Sequence, residues 1–162
     1  MRTESTRRQG HVLTMGDAPA LWIADDGQSL SLLRTYWCDV DALDANRVAL
    51  HFAPDAWFQV GQQPPIHGRA AIRRAFIHLF TEAEVIQHYP VALWSKHGLT
   101  VAEADISVVF ENRSSIIVPI TTTLWHQRND ILACRVHVPQ EPVLTYAISG
   151  FVCSPGPLSA RR

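Results

Sequence analysis

The second half of the chain constrains the fold more than any other feature. Four runs, 85–94, 100–110, 115–125 and 131–138, are apolar and rich in β-branched residues, and polar clusters part them. In 100–110, Ala102, Ala104, Ile106, Val108 and Phe110 alternate with Glu103, Asp105 and Ser107. That is the period of a strand with one buried and one wetter face. Ser95-Lys96-His97-Gly98, Asn112-Arg113-Ser114 and Gln127-Arg128-Asn129-Asp130 are the turns, and Pro139 and Pro142 close the last run. Connections this short predict an antiparallel meander. Pro90 marks an edge position or a bulge in its first strand.

The first half has a different period. Leu30, Leu33, Tyr36, Trp37, Val40 and Leu43 recur at steps of three and four, which predicts a helix with one buried stripe, capped by Asp25 or Asp26. Asn46 is placed to cap a short second helix through Val48, Leu50 and Phe52. Pro54-Asp55 predicts a turn, 57–60 a strand and 61–65 a loop. Gly68 opens a third helix, with Ile72, Ala75, Phe76, Leu79 and Phe80 on one face and Arg69, Arg73 and Arg74 toward water. Helices on one face of a mostly antiparallel sheet make an α+β domain, and a bent sheet around helices leaves a concavity for a ligand.

Composition sets the remaining bounds. A length of 162 residues suits one domain, here placed at 20–150, with 1–19 as a flexible arm and 151–162 as a loose tail. Met15 is an alternative start within that arm. A net charge of −1 gives no basic field for nucleic acid, and no apolar run has the length of a signal peptide or a membrane helix. Cys38, Cys134 and Cys153 form no C-x-x-C pair, so neither a disulfide framework nor a zinc site is expected and a reducing cytoplasm fits. The eight histidines show no ligand spacing, and no nucleotide-binding or G-x-S-x-G motif occurs. Neither metal nor cofactor is expected.

Several local patterns then carry a family resemblance. Tyr36-Trp37 through Asp44, the segment 48–56, Gly68-Arg69-Ala70-Ala71-Ile72-Arg73, Val118-Pro119-Ile120-Thr121-Thr122 and Arg135-Val136-His137-Val138 resemble the nuclear transport factor 2-like superfamily, SnoaL-like branch, over roughly 29–145. The resemblance implies a cone-shaped, curved, mostly antiparallel sheet packed on three N-terminal helices. It also implies a pocket for a small apolar ligand and a homodimer paired through the outer sheet face. The superfamily includes ketosteroid isomerases, SnoaL-like polyketide cyclases, dehydratases and epoxide hydrolases, besides binding proteins without known chemistry.

Carried over residue by residue, Tyr36 falls at the oxyanion-holding tyrosine of the isomerases. Val60 and Thr121 stand where those enzymes have acids, which argues against steroid isomerisation. His88 and Asp41 fall near the catalytic histidine and aspartate of the dehydratases. No Asp-Arg-Asp triad of the epoxide hydrolases is evident around Arg135, and Pro139 replaces an aspartate frequent after the closing strand.

The expectation is therefore a cofactor-independent isomerase, cyclase or dehydratase acting on a small, apolar, oxygenated ring compound. His88 is the base, Tyr36 the donor to an oxyanion and Asp41 the orienting carboxylate. Phe58, Val60, Ile106, Val108, Thr121, Thr123 and Trp125 are the expected lining. The alternative is a non-catalytic binding or scaffold module of the same fold. Arg135 and His137 share one strand face, opposite Cys134, Val136 and Val138, and which set looks inward is left open by the pattern.

Overall fold

The computed structural model describes residues 23–24 and 28–139. The arm, the tail, Met15, the Asp25 or Asp26 cap and Cys153 lie outside the described residues. Helix α1, Gln28–Asp41, buries Leu32, Leu33, Tyr36, Trp37 and Val40, so the predicted stripe is the face it packs inward. Helix α2, Ala45–Leu50, is capped by Asp44 and not by Asn46. The Asp44 carboxylate accepts from the backbone N–H groups of Asn46 (3.1 Å) and Arg47 (3.0 Å), the two donors a cap must reach. Asn46 sits inside the first turn, where its side chain accepts from Arg73 Nε at 2.7 Å.

The expected turn at Pro54-Asp55 is instead part of strand β2, Phe52–Val60. The ladder to the last strand steps from Phe52↔Ile131 to Trp57↔Ala133, so five residues of β2 oppose two. Pro54 lies in that irregular stretch, where its missing N–H forfeits no ladder bond. Helix α3, Arg69–Glu82, follows Gly68 and buries Ile72, Ala75 and Phe76. Arg73 and Arg74 face water, whereas Arg69 turns back to donate to the Phe52 carbonyl at 2.6 Å.

The meander is β4 (Ala83–Lys96), β5 (Leu99–Phe110), β6 (Ser115–Gln127) and β7 (Asp130–His137). Two two-residue strands, β1 (Ile23–Ala24) and β3 (Ile66–His67), complete a sheet ordered β1-β4-β5-β6-β7-β2-β3. Among the described strands only β1/β4 and β2/β7 run parallel, so the sheet is mostly antiparallel. The predicted irregularity at Pro90 is present: the β4–β5 register shifts between Pro90 and Ala92. The fold is α+β, with the sheet curved around the helices and the core between them.

Candidate functional site

Between α1, α3 and the inner face of the sheet lies a cavity of about 110 Å³. Its walls are apolar, from Tyr36, Trp37 and Val40 on α1, through Phe76 and Leu79 on α3, to inward residues of five strands. Leu79, Phe110, Ile116 and Val118, all partly buried, line its outer end. The volume is somewhat less than the roughly 150 Å³ of a dry apolar cavity that accepts benzene, so a single ring or a slender molecule is the most it holds as it stands.

Among the described residues four side chains bring polar atoms to these walls: His88, Tyr36, Trp37 and Thr122. His88 stands on β4, inward with Ile86, while Gln87 points outward. Its Nδ1 lies 2.6 Å from Asp41 Oδ1, and its backbone N–H donates to Asp41 Oδ2 at 3.2 Å. The last turn of α1 thus clasps β4 by two bonds to one residue. Trp37 stacks on the imidazole, centroids 4.8 Å apart and planes within 13°. Trp37 and Asp41 are four residues apart, so one helix face presents both to β4. A carboxylate on Nδ1 places the proton there and leaves the lone pair on Nε2, which has no bond to another described residue.

Tyr36 is fully buried, and its hydroxyl shares a hydrogen bond with Cys134 Sγ at 3.9 Å. Burial raises its pKa well above the usual 10.0, aided by the neighbouring Cys134, so the hydroxyl keeps its proton and can donate. Burial likewise pushes the Cys134 thiol up to about 12, against a smaller lowering by its bond to Tyr36. No hydrogen bond joins Tyr36 to His88 or Asp41. Cys134 aligns with Leu124, whereas His88 aligns through Ile106 with Val118. Six residues of β6, about 20 Å of strand before curvature, separate those two positions. The structure therefore brings His88 and Asp41 together and holds the Tyr36 hydroxyl at the inner end of the same cavity.

Of the expected lining, Phe58, Val60, Ile106 and Val108 face the cavity. Thr121, Thr123 and Trp125 do not: the phase of β6 is the reverse of the expected one, and Ile116, Val118, Ile120 and Thr122 point inward. Trp125 is on the outer face, 5.8 Å from the Trp57 ring, and Thr121 borders an open outer groove with Glu103, Asp105 and His137. Val136 of β7 and Val138 just beyond it line the cavity and Cys134 is buried, which leaves Arg135 and His137 on the outer face. His67 is exposed.

Two further buried polar groups escaped the sequence reading. Asp39 binds Arg47 Nε at 3.0 Å and His51 Nε2 at 2.7 Å, which ties α1 to α2 and its C-terminal cap. Thr100 donates to Ser95 Oγ at 3.0 Å and lies 3.1 Å from His126 Nε2. Both groups are satisfied internally and neither lines the cavity. Among the described residues no cluster of three His, Cys, Asp or Glu could hold a metal ion, and no helix is long and apolar enough to cross a membrane.

By sequence the chain matches no family model and no curated protein. Its structure is similar to a protein of ketosteroid isomerase-like fold from Catenulispora acidiphila, in complex with trimethylamine (TM-score 0.65, 14% identity, 72% of this chain and 91% of that one). It is similar also to a protein assigned as a SnoaL-like polyketide cyclase from Jannaschia sp. (0.64, 12%, 74% and 90%). A third is SalBIII, an epoxide hydrolase/cyclase-like enzyme with a role in pyran ring formation in the polyether salinomycin (0.63, 18%, 72% and 94%). The chain has the fold that these proteins share, a nuclear transport factor 2-like fold.

Proposed function

We propose that this chain is a cofactor-independent enzyme that isomerises, cyclises or dehydrates a small, apolar, oxygenated ring compound. The observation that carries the reading is the His88–Asp41 pair at the wall of an otherwise apolar cavity. With Nδ1 held by a carboxylate, Nε2 is the base: it takes a proton from an acidic C–H or O–H of the substrate. Asp41 then stabilises the imidazolium without itself being protonated. Trp37 fixes the plane of the ring. Tyr36, kept neutral by burial, gives its hydroxyl to an oxygen of the substrate at the inner end, exchanging the weak thiol acceptor for a stronger one. Similarity of fold to cyclase-like proteins supports the kind of chemistry, not a particular substrate.

Replacing His88 by Ala should reduce turnover of a responsive cyclic ketone or phenol by at least a hundredfold while leaving the fold intact. Unchanged turnover in a folded H88A protein would remove His88 from the chemistry. One observation favours a second reading: the described lining residues include no carboxylate, so among them no second acid stands beside His88. In that reading the protein binds the same class of ligand without transforming it.

Two wider proposals accompany this one. The outer sheet face, with Trp94, Trp125 and Ile117 exposed, is where a second copy of the chain would pair. Cys38 and Cys134 are both free thiols, which suits a reducing cytoplasm.

A further inference from the structure

Among the described residues the cavity wall carries one buried side-chain polar atom without a hydrogen-bond partner, the Thr122 hydroxyl. Thr122 is 1% exposed, and its hydroxyl has no hydrogen-bond partner among the described residues. Across the sheet it is flanked by Ala102 on β5 and Val136 on β7, and Val136 in turn pairs with Val60 on β2. None of these side chains can donate or accept. The Tyr36 hydroxyl is not its partner: it is bonded to Cys134. A water beside Thr122 would meet mostly hydrocarbon, short of the two to four polar partners that hold a buried water. Valine would fill the same shape, and a buried hydroxyl left alone is costly.

We infer that Thr122 anchors the ligand: its hydroxyl is the binding point for an oxygen at the end of the molecule remote from His88. This rests on the reading of the cavity as a small-molecule site, but not on His88 being a base. The register sets the span. His88 pairs with Ile106 and Thr122 with Ala102, four residues apart on β5. That is about 13 Å of strand, shortened on the concave face of a curved sheet. The ligand class that satisfies both ends is slender and apolar in its middle, with one oxygenated group at each end. A molecule with a single oxygen satisfies one end and leaves the other polar group alone.

The probes are a slender linear diol with its hydroxyls at opposite ends, 1,6-hexanediol, and the corresponding mono-ol, 1-hexanol, titrated calorimetrically. The wild-type protein should bind the diol five- to tenfold more tightly than the mono-ol. In Thr122→Val that preference should fall sharply and in Thr122→Ser it should return at least in part, while His88→Ala with Thr122 intact should still bind the mono-ol more tightly than the parent hydrocarbon. Without ligand, Thr122→Val should melt above wild type, because it removes a buried hydroxyl without a partner. Absence of any preference in the wild type, a wild-type preference in Thr122→Val, or a lowered melting temperature of that variant would each overturn the anchor. Loss of the base with the anchor intact appears as unchanged turnover in His88→Ala and a discrimination that still depends on Thr122.

Discussion

Cys134 and Tyr36 face each other at the inner end of the cavity with burial raising both pKa values, and the consequence is an alkaline limit on stability. An unfolded cysteine releases its proton near the ordinary value of 9.0, while the folded thiol holds it to about 12. Between those values the unfolded chain binds fewer protons than the native one, so stability falls as pH rises. Below pH 9 the contribution is fully present. Across the interval each such group removes about 1.4 kcal/mol per pH unit. Tyr36 acts in the same direction from its ordinary 10.0 upward. Denaturant unfolding of the wild type should therefore show a loss steepening above pH 9, and Cys134→Ala, though less stable at pH 8, should lose less between pH 9 and 10. Parallel profiles for the two proteins would show that this thiol is not the group that titrates.

At the scale of elements, the β4–β5 hairpin shows what a single backbone position can demand. Lys96 pairs with Leu99, so the loop is His97-Gly98 alone, with φ of 51° and 79°. A two-residue loop with both φ values positive matches the twist of the strands it joins, and glycine takes that conformation without strain. A Cβ on Gly98 would also lie 2.6 Å from the His126 carbonyl oxygen, which is backbone and cannot yield. At Gly68, φ is also positive, at 85°, but the nearest atom to an added Cβ is the Pro54 carbonyl oxygen at 3.6 Å. Gly68→Ala should thus cost about 1 kcal/mol from backbone conformation alone, and Gly98→Ala clearly more, about 2–3 kcal/mol. Chemical denaturation of the two variants orders them, and equal losses would remove the steric part of the argument. The same elements show what was legible beforehand. Period-two alternation with charged residues between apolar ones set the phase of β5, and Ile106 and Val108 face the cavity as expected. In β6 both faces are β-branched, and Thr121-Thr122-Thr123 gives no contrast from one residue to the next. The phase was therefore free to be read one residue out, and Trp125 went with it. His88 and Asp41 were legible as candidates, but their pairing was not, because it depends on where the last turn of α1 meets β4. The spacing of Trp37 and Asp41 was the available sign. The Asp44 cap and the β2 irregularity turn on a single side chain's reach and a pairing between distant segments, neither of which periodicity records.

At the scale of the whole molecule, a curved sheet with helices on one side has two unlike faces. The inner face is closed by α1 and α3 and holds the cavity. The outer face carries Trp57 and Trp125 in ring contact, with Trp94 44% and Trp125 39% exposed and Ile117 more so. Large apolar side chains gathered on one face are a cost to a monomer and a gain to a pair, since roughly 800 Å² covered on each partner suffices for a stable interface. A homodimer through this face places the two cavities on opposite sides of the assembly, so neither needs the other copy to be complete. Sedimentation should then give a mass of twice 18.1 kDa for the wild type. Trp125→Glu puts a charge into the middle of that face and should shift the protein toward 18.1 kDa. Because Trp125 points away from the cavity, the variant should keep wild-type ligand affinity. A wild-type protein that sediments at 18.1 kDa at high concentration would leave the aromatic face without a second copy to cover it. Self-association that survives Trp125→Glu would move the interface elsewhere on the surface. Separation of the two readouts, assembly lost and binding kept, is what a fold with one face for the ligand and the other for its own copy requires.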